Sequence, residues 1–441
     1  MPRVIVAGGG LAGMAAAVAL AEAGFDVRLF EAQPFLGGRA CSYPLPVRLG
    51  GPEIIDNCQH ILLRCCTNLL DFYRRLGVAD RIRFDREFRF LEPGGRMSTL
   101  SAGPLPAPLH LAASFCRLPF LSWRARAAIG SAFAAARRQW GRRIDLDRMS
   151  MGAWLADQRQ PQEAIARFWR PVLVSAANAE PDAMAARHGL QLMSLAFLGR
   201  RDDYHMGVPE APLGELYPLE NLKAKGRLEV TARAPVERFL FDGKRASAAL
   251  LRGEPRQADY YVSALPAGRA AAAAPELALD VSAFHYSPIT SIRLWFDRPV
   301  TGFPHAVLLD RTMQWMFASR GGRHIQLVVS ASDALAGMNR TAIIELALTE
   351  LAGFMPGVGR AVLERAHVVK ELRATFRPAP GLEAHRPLSA THFENLFLAG
   401  DWTRTGWPAT MEGAVRSGYL AAEAVTRAAG APREFLLGRP V

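Results

Sequence analysis

A chain of 441 residues, half of them hydrophobic and 21% charged, is long enough for two or more domains with buried cores. No apolar run reaches the length of a membrane-spanning helix; the longest, near Leu11 to Ala21, stops at Glu22. The net charge of +12 is unevenly placed, because eight arginines and no acidic residue lie between Pro93 and Ile144.

In chain order, Val4 to Ala7 is a short β-branched apolar run that predicts a strand. Gly8-Gly9-Gly10 follows, then an alanine-rich stretch ending at Gly24 that predicts a helix, and Asp26 to Phe30 predicts a second strand closed by Glu31. Arg3, the apolar stretch and Ala21-Glu22-Ala23 imitate a secretory signal, but the strand, glycine turn, helix and strand account for the same residues. The five cysteines (Cys41, Cys58, Cys65, Cys66, Cys116) are odd in number and lack CxxC spacing. Free thiols in a reducing compartment are therefore expected, with no structural metal. "TNLLDFYRRLG" predicts a helix capped by Thr67 and ended by Gly77.

A basic helix is predicted after Ser122, with Ile129, Phe133, Ala136 and Trp140 on one face, and Met151 to Gly199 reads as mostly helical. From Leu228 a strand-rich block begins, with a turn at Asp242-Gly243 and a strand ending at Pro266. Further strands, "ITSIRLWFD", "HAVLLD", "HIQLVVSA" and "HVVKELRATF", predict a mainly antiparallel sheet, interrupted by a helix from about Arg340 to Phe354.

Gly8-x-Gly10-x-x-Gly13 lies between a predicted strand and a predicted helix, the setting a dinucleotide fingerprint needs. The first glycine permits a sharp turn and the second lets backbone approach a pyrophosphate at the helix N-terminus, where Leu11 and Ala12 open the helix. The third allows helix and strand to pack. Glu31 at the next strand tip is placed to accept both ribose hydroxyls and to repel a 2′-phosphate. Two later features favour FAD over NAD. "GGRA" puts Gly38 and Arg39 where they can meet the same pyrophosphate again, and "LFLAGDWTRTGWPATMEGA" ends a buried strand at Gly400 and Asp401. Asp401 is placed for the ribityl or phosphate end, while Thr410 and Met411 open a helix whose N–H groups can face the flavin N1 and O2 edge.

These motifs resemble the flavin-containing amine oxidase and phytoene desaturase superfamily, whose GxGxxG, trailing GGR and "AGD…MEGA…SG" all occur here. The resemblance implies an α/β glutathione-reductase-like fold: a Rossmann FAD-binding domain from residues 1–65, 210–280 and 385–441, and a discontinuous α+β substrate domain from 66–209 and 281–384. It implies that the backbone at Val236 contacts the adenine. With no cysteine near Trp407 to Gly413, the flavin is expected to be noncovalent.

"IDNCQHILLRCCTNLLDFYRRLG" and "TRTGWPATMEGAVRSGYLAA" are similar to the hydroxysqualene dehydroxylase family. That similarity implies reductive replacement of the hydroxyl of a long apolar triterpene alcohol by hydrogen, giving squalene for hopanoid synthesis. His60 and Gln59 are the candidates for orienting or protonating the hydroxyl, with Asp56 a third. The rivals are a carotenoid-type desaturase and a flavin-binding membrane scaffold without turnover.

The arginine-rich stretch suits an interfacial helix on anionic lipid, with Leu118, Phe120, Leu121 and Trp123 dipping in first, or else a solvated face over a domain core. Nucleic acid is not expected, since no recognition module accompanies the charges. The expected setting is cytoplasmic, at the inner face of the cell membrane. No second GxGxxG follows residue 13, so the electron donor is left unidentified.

Overall fold

The computed structural model describes residues 1–46, 52–219 and 227–438. Strand Arg3–Ala7 is the middle of a five-stranded parallel sheet with the order 228–231, 26–30, 3–7, 260–263, 396–398. Val4 pairs with Val27 on one side and Tyr260 on the other, and Val262 pairs with Phe397. Parallel strands are covered on both faces, so they read as continuous apolar runs. Val4 and Val6 face one layer, Ile5 and Ala7 the other. The first layer holds helices Leu11–Glu22 and Met411–Ala428. The second holds the hairpin Val236–Asp242 and Arg245–Leu251, whose turn falls at Gly243-Lys244, one residue past the expected Asp242-Gly243 because Asp242 still pairs with Arg245, and helix Ala267–Ala273.

Helix Leu11–Glu22 is buried from Leu11 to Ala21, which explains its lack of a polar face. Its alanines let helix Met411–Ala428 approach closely: a Cβ on Gly418 would stand 2.3 Å from the Ala12 carbonyl oxygen and 2.9 Å from the Ala15 Cβ. The two ends of the chain therefore meet in one core.

Helix Thr67–Arg75 packs into this same core through Leu69, Phe72 and Tyr73. The predicted domain break at 65/66 is thus corrected: the helix belongs to the nucleotide-binding layer. Its cap differs too. Thr67 is the first helical residue, and the Glu412 carboxylate accepts from the amides of Asn68 (3.2 Å) and Leu69 (2.7 Å). A distant acid thus supplies what a local side chain was expected to supply.

The substrate domain is built on a seven-stranded sheet with the order 363–376, 286–296, 324–330, 315–319, 305–308, 87–91, 97–101. All its pairings are antiparallel except that of 305–308 with 87–91. Ile292, Leu294 and Phe296 face helix Arg340–Phe354, whose bounds match the prediction. The opposite face carries Ile289, Val307, Trp315, Phe317 and Val328 beneath a helical cap from residues 112–197.

Within the cap, helix Trp123–Gln139 starts at Ser122, whose hydroxyl accepts from the Ala125 amide. Its apolar face turns inward: Ile129 and Ala136 are buried, and Phe133 packs on Trp169 at 5.3 Å between ring centroids. Leu118, Phe120 and Leu121 are buried in the cap core, which corrects the expectation that they lead into a bilayer; Trp123 alone of that set is exposed. Phe120 packs on Phe90 at 5.1 Å between ring centroids, and burial in this core removes the apolar surface from water without a bilayer.

The helix contact yields a first prediction. Gly418→Val should destabilise the protein by about 1–3 kcal/mol through overpacking against Ala12 and Ala15. Thermal unfolding of the variant beside the parent checks it, and an unchanged midpoint would show that the helices can separate freely.

Candidate active site

At the C-terminal end of strand Arg3–Ala7 the chain turns through Gly8, at φ +106°, where a Cβ would meet the Ala264 carbonyl oxygen at 2.7 Å. A Cβ on Gly13 would lie 1.9 Å from the Gly8 carbonyl oxygen, so the helix can begin this close to the strand only with glycine there. No side chain caps the helix at Gly10, and its first turn holds no acidic residue. The amides of Leu11 and Ala12 are left free to take an anion. Gly37 donates to the Gly9 carbonyl at 2.9 Å and Gly10 bridges Gly37, so the GGR box, including Gly38, is held against the glycine loop. Glu31 is buried at the next strand tip; one carboxylate oxygen accepts from the Gly9 amide at 2.6 Å and the other from the Gln33 amide at 2.7 Å. Both oxygens keep lone pairs for a ribose.

The C-terminal motif closes on the same place. Arg39 donates to the Asp401 carboxylate at 2.5 Å and to the Ala374 carbonyl at 3.0 Å. The Gly400 amide donates to the Ser417 hydroxyl at 2.8 Å. Thr410 caps helix Met411–Ala428 by accepting from the Gly413 amide, which leaves the Met411 amide uncommitted.

One residue that the sequence reading missed organises this loop. Arg386 is buried and donates to the carbonyls of Asp401 (2.8 Å), Thr403 (2.5 Å) and Trp407 (2.7 Å), to the Thr405 hydroxyl (3.0 Å) and to the Glu383 carboxylate (2.8 Å). "AHRPLS" carries no local signal for that role. Glu412 was also missed, although a carboxylate in the first turn of a helix was legible as a capping group.

A continuous cavity of about 820 Å³ begins at the glycine loop and runs into the substrate domain. Gly8, Gly10, Leu11, Ala12, Glu31, Gly38, Arg39, Val236, Gly400, Asp401, Thr410 and Met411 all lie on its wall, while Gly13 acts behind it through packing. The far part is apolar, walled by Phe88, Phe90, Phe168, Trp315 and Phe317. Gln59 and His60 stand on the wall as well. Asp56 does not. Its carboxylate accepts from the Ser42 hydroxyl (2.6 Å) and the Leu213 amide (2.9 Å), so it ties strands together and is removed from the candidate chemistry.

The model of the family of flavin containing amine oxidoreductases matches residues 11–426. This chain belongs to that family. The flavoprotein is 29% identical to a hydroxysqualene dehydroxylase of Rhodopseudomonas palustris over 96% of this chain and 98% of that one. It is 28% identical to the hydroxysqualene dehydroxylase of Zymomonas mobilis (95% and 97%) and 25% identical to a 15-cis-phytoene desaturase of Synechococcus elongatus (100% and 99%). Among solved structures, an oxidoreductase from Methanosarcina mazei superposes with a TM-score of 0.72 at 19% identity, covering 94% of this chain and 98% of that one. The α/β fold and the FAD cofactor follow, and the free helix amides, the Glu31 tip and the Arg39–Asp401 pair fit that cofactor.

In the flavoprotein, Cys58 and Cys66 border the cavity, and both thiols are pushed up: Cys58 by burial to about 12, Cys66 by its contact with Cys65 and by burial. Thiols held protonated are poor nucleophiles. His60 bonds through Nδ1 to the Cys58 carbonyl at 3.0 Å, and burial pushes its pKa down. Burial favours the neutral ring, against the Cys58 and Arg39 carbonyls, which favour the charged one; the residue can orient a hydroxyl but is not a ready acid.

Two predictions follow from the site. Arg386→Leu should cost about 3 kcal/mol or more by leaving Glu383 and several carbonyls without a donor, and should lower retained flavin. The ratio of flavin to protein absorbance after purification reads this, and Arg386→Lys should not restore it, because one ammonium cannot span the set. Second, burial pushes His188 and His324 from 6.5 to about 3. Between those values the unfolded chain binds more protons, so stability should fall as the pH drops through that window, by up to about 1.4 kcal/mol per pH unit for each group. Urea midpoints at about pH 7 and about pH 5 test the sign, and His324→Gln should flatten the dependence.

Proposed function

We propose that this flavin-dependent oxidoreductase reductively removes the hydroxyl of hydroxysqualene to give squalene, for hopanoid or related triterpene synthesis. The observation that carries the reading is the single cavity that joins a flavin cradle to a long apolar compartment. Such a compartment suits a hydrocarbon chain with few polar groups. Support also comes from the 28–29% identity, over nearly the whole length, to two proteins named hydroxysqualene dehydroxylase.

Bound in its reduced form, FAD would supply the hydride for such a reaction, and the departing oxygen would take up a proton and leave as water. The protein's part is to hold and exclude. The aromatic walls exclude water from the chain, and neutral His60 accepts from the substrate O–H through Nε2. Gln59 beside it offers an amide donor to the same oxygen. Turnover would require an external two-electron donor of unidentified kind.

The anionic membrane surface at the inner face of the cell membrane is part of the proposal, on a smaller set of residues than the sequence suggested. Leu105, Leu109 and Trp123 are exposed, with Arg117 and Arg124 exposed among them. Phe115 in the same segment packs edge-on to cavity-lining Phe168 at 5.5 Å, so the segment adjoins the apolar compartment. Among the described residues no helix is long and apolar enough to cross a membrane, and contact would be interfacial.

An anaerobic assay tests the chemistry. With chemically reduced flavin and hydroxysqualene in detergent, flavin absorbance should return as squalene appears in the extracted lipid. A flavin that stays reduced in lipid-loaded protein would favour the desaturase reading, which the 25% identity to the phytoene desaturase supports, with oxidised flavin as the working state. For the membrane, co-sedimentation with anionic vesicles at low salt is expected, and Trp123→Ser combined with Arg124→Ser should reduce it several-fold. Protein left in the supernatant at low salt would end that part of the proposal.

A further inference from the structure

Charge does not balance at the cofactor end of the cavity. Among the described residues the wall carries the carboxylates of Glu31, Glu371, Asp401 and Glu412 against the guanidiniums of Arg39 and Arg269. FAD brings a pyrophosphate, and so further negative charge, to the glycine loop. The helix that begins with the free amides of Leu11 and Ala12 offers about half a unit of positive charge in return. Arg39 is already engaged by the Asp401 carboxylate and the Ala374 carbonyl. Arg269 differs: its side chain is exposed, and among the described residues it meets no acceptor.

The sheet decides where that charge stands. Strands Asp26–Phe30, Arg3–Ala7, Tyr260–Ser263 and Leu396–Leu398 are neighbours in that order, so Glu31 and Asp401 flank the cradle from the two sides. The glycine loop and the segment Ala264-Leu265-Pro266 lie between them. A Cβ on Gly13 would stand 3.1 Å from the Ala264 Cβ, so this segment touches the glycine loop. Trp402 donates from its indole to the Leu265 carbonyl at 3.0 Å, which fixes the same segment beside the Asp401 loop. Pro266 then opens helix Ala267–Ala273, whose Ala267 and Ala270 are buried in the layer that holds Val236. With those positions inward, Arg269 is left on the open side of the first turn, on the cavity wall with Leu265, Pro266 and Val236.

We propose that Arg269 is the counter-charge for the pyrophosphate of FAD, standing on the adenylate side of the cradle, and that it slows release of the cofactor. A guanidinium suits the role, because its paired N–H donors fork onto phosphate oxygens. The charge of Arg39 is cancelled by Asp401, whereas that of Arg269 is left for the ligand. The inference concerns retention of the cofactor and is independent of the substrate, so it stands or falls apart from the dehydroxylase reading.

The test follows FAD leaving the purified holoprotein, by ultrafiltration at intervals after dilution, over a range of salt concentrations. Arg269→Gln should release FAD several-fold faster than the parent at low salt and flatten the salt dependence, because salt screens an exposed ionic contact. Arg269→Lys should keep most of the retention, since it keeps the charge. Arg256→Gln is the control: Arg256 is exposed, pairs with Glu254 and lies off the cavity wall, so its loss should leave release at the parent's rate. Parent-like release from Arg269→Gln would overturn the assignment. Equal acceleration in Arg256→Gln would overturn it too, by reducing the effect to net charge. A lysine variant that loses FAD as fast as the glutamine one would show that charge does not hold the cofactor, with the same consequence.

Discussion

A single buried positive charge sets the geometry of this flavoprotein. Removing a guanidinium from water costs several kcal/mol, and the cost is recovered only when nearly every N–H finds an acceptor. Arg386 meets that condition through its two terminal nitrogens, which gather the carbonyls of Asp401, Thr403 and Trp407, and among the described residues only Nε is left without an acceptor. The loop from Asp401 to Trp407 has little regular hydrogen bonding of its own, and the charge makes it rigid. Asp401 leaves that loop to meet Arg39, which ties it to the GGR box, and Gly406 leaves it to meet Gln191, which ties it to the helical cap. One ion thus couples cofactor cradle, fingerprint loop and substrate compartment.

A second coupling runs through Glu412. Burial raises the pKa of its carboxyl, while the amides of Asn68 and Leu69 and the Asn68 side chain oppose that shift by bonding the ionised form. The acid sits in the first turn of helix Met411–Ala428, yet caps helix Thr67–Arg75. The two helix N-termini therefore share one anion, and the segment that brings Gln59 and His60 to the cavity is anchored to the cofactor layer a few residues further on. Neutral histidines complete the picture: an apolar compartment next to arginines keeps imidazoles uncharged, so they act by hydrogen bonding and leave proton transfer to other groups.

Local rules made much of this legible in advance. Gly13 is demanded locally, because the Gly8 carbonyl five residues back leaves no room for a Cβ, whereas Gly8 is crowded by the distant Ala264 carbonyl and a Cβ on Gly10 would meet nothing closer than 3.9 Å. Helix Arg340–Phe354 and the hairpin turn, which lies within one residue of its expected place, follow from short-range patterns. The cofactor residues emerged together because family motifs encode a cradle whose parts are each short. Asp56 was misread, since a carboxylate near Gln59 and His60 looks available until Ser42 and the Leu213 amide are seen to use it. Leu118, Phe120 and Leu121 were misread because an apolar residue next to arginine is equally consistent with lipid and with a core.

By itself, then, the sequence determined the nucleotide-binding strand, turn and helix, the FAD-type C-terminal motif and a discontinuous α/β organisation, because these rest on interactions within one or two turns of chain. Only the tertiary structure decided that Arg386 holds the cofactor loop, that Glu412 caps a helix hundreds of residues away and that Asp56 is structural. Those outcomes depend on which buried polar groups meet after the layers close. Burial raises the cost of an unmet partner without leaving any periodic trace in the residues that supply it.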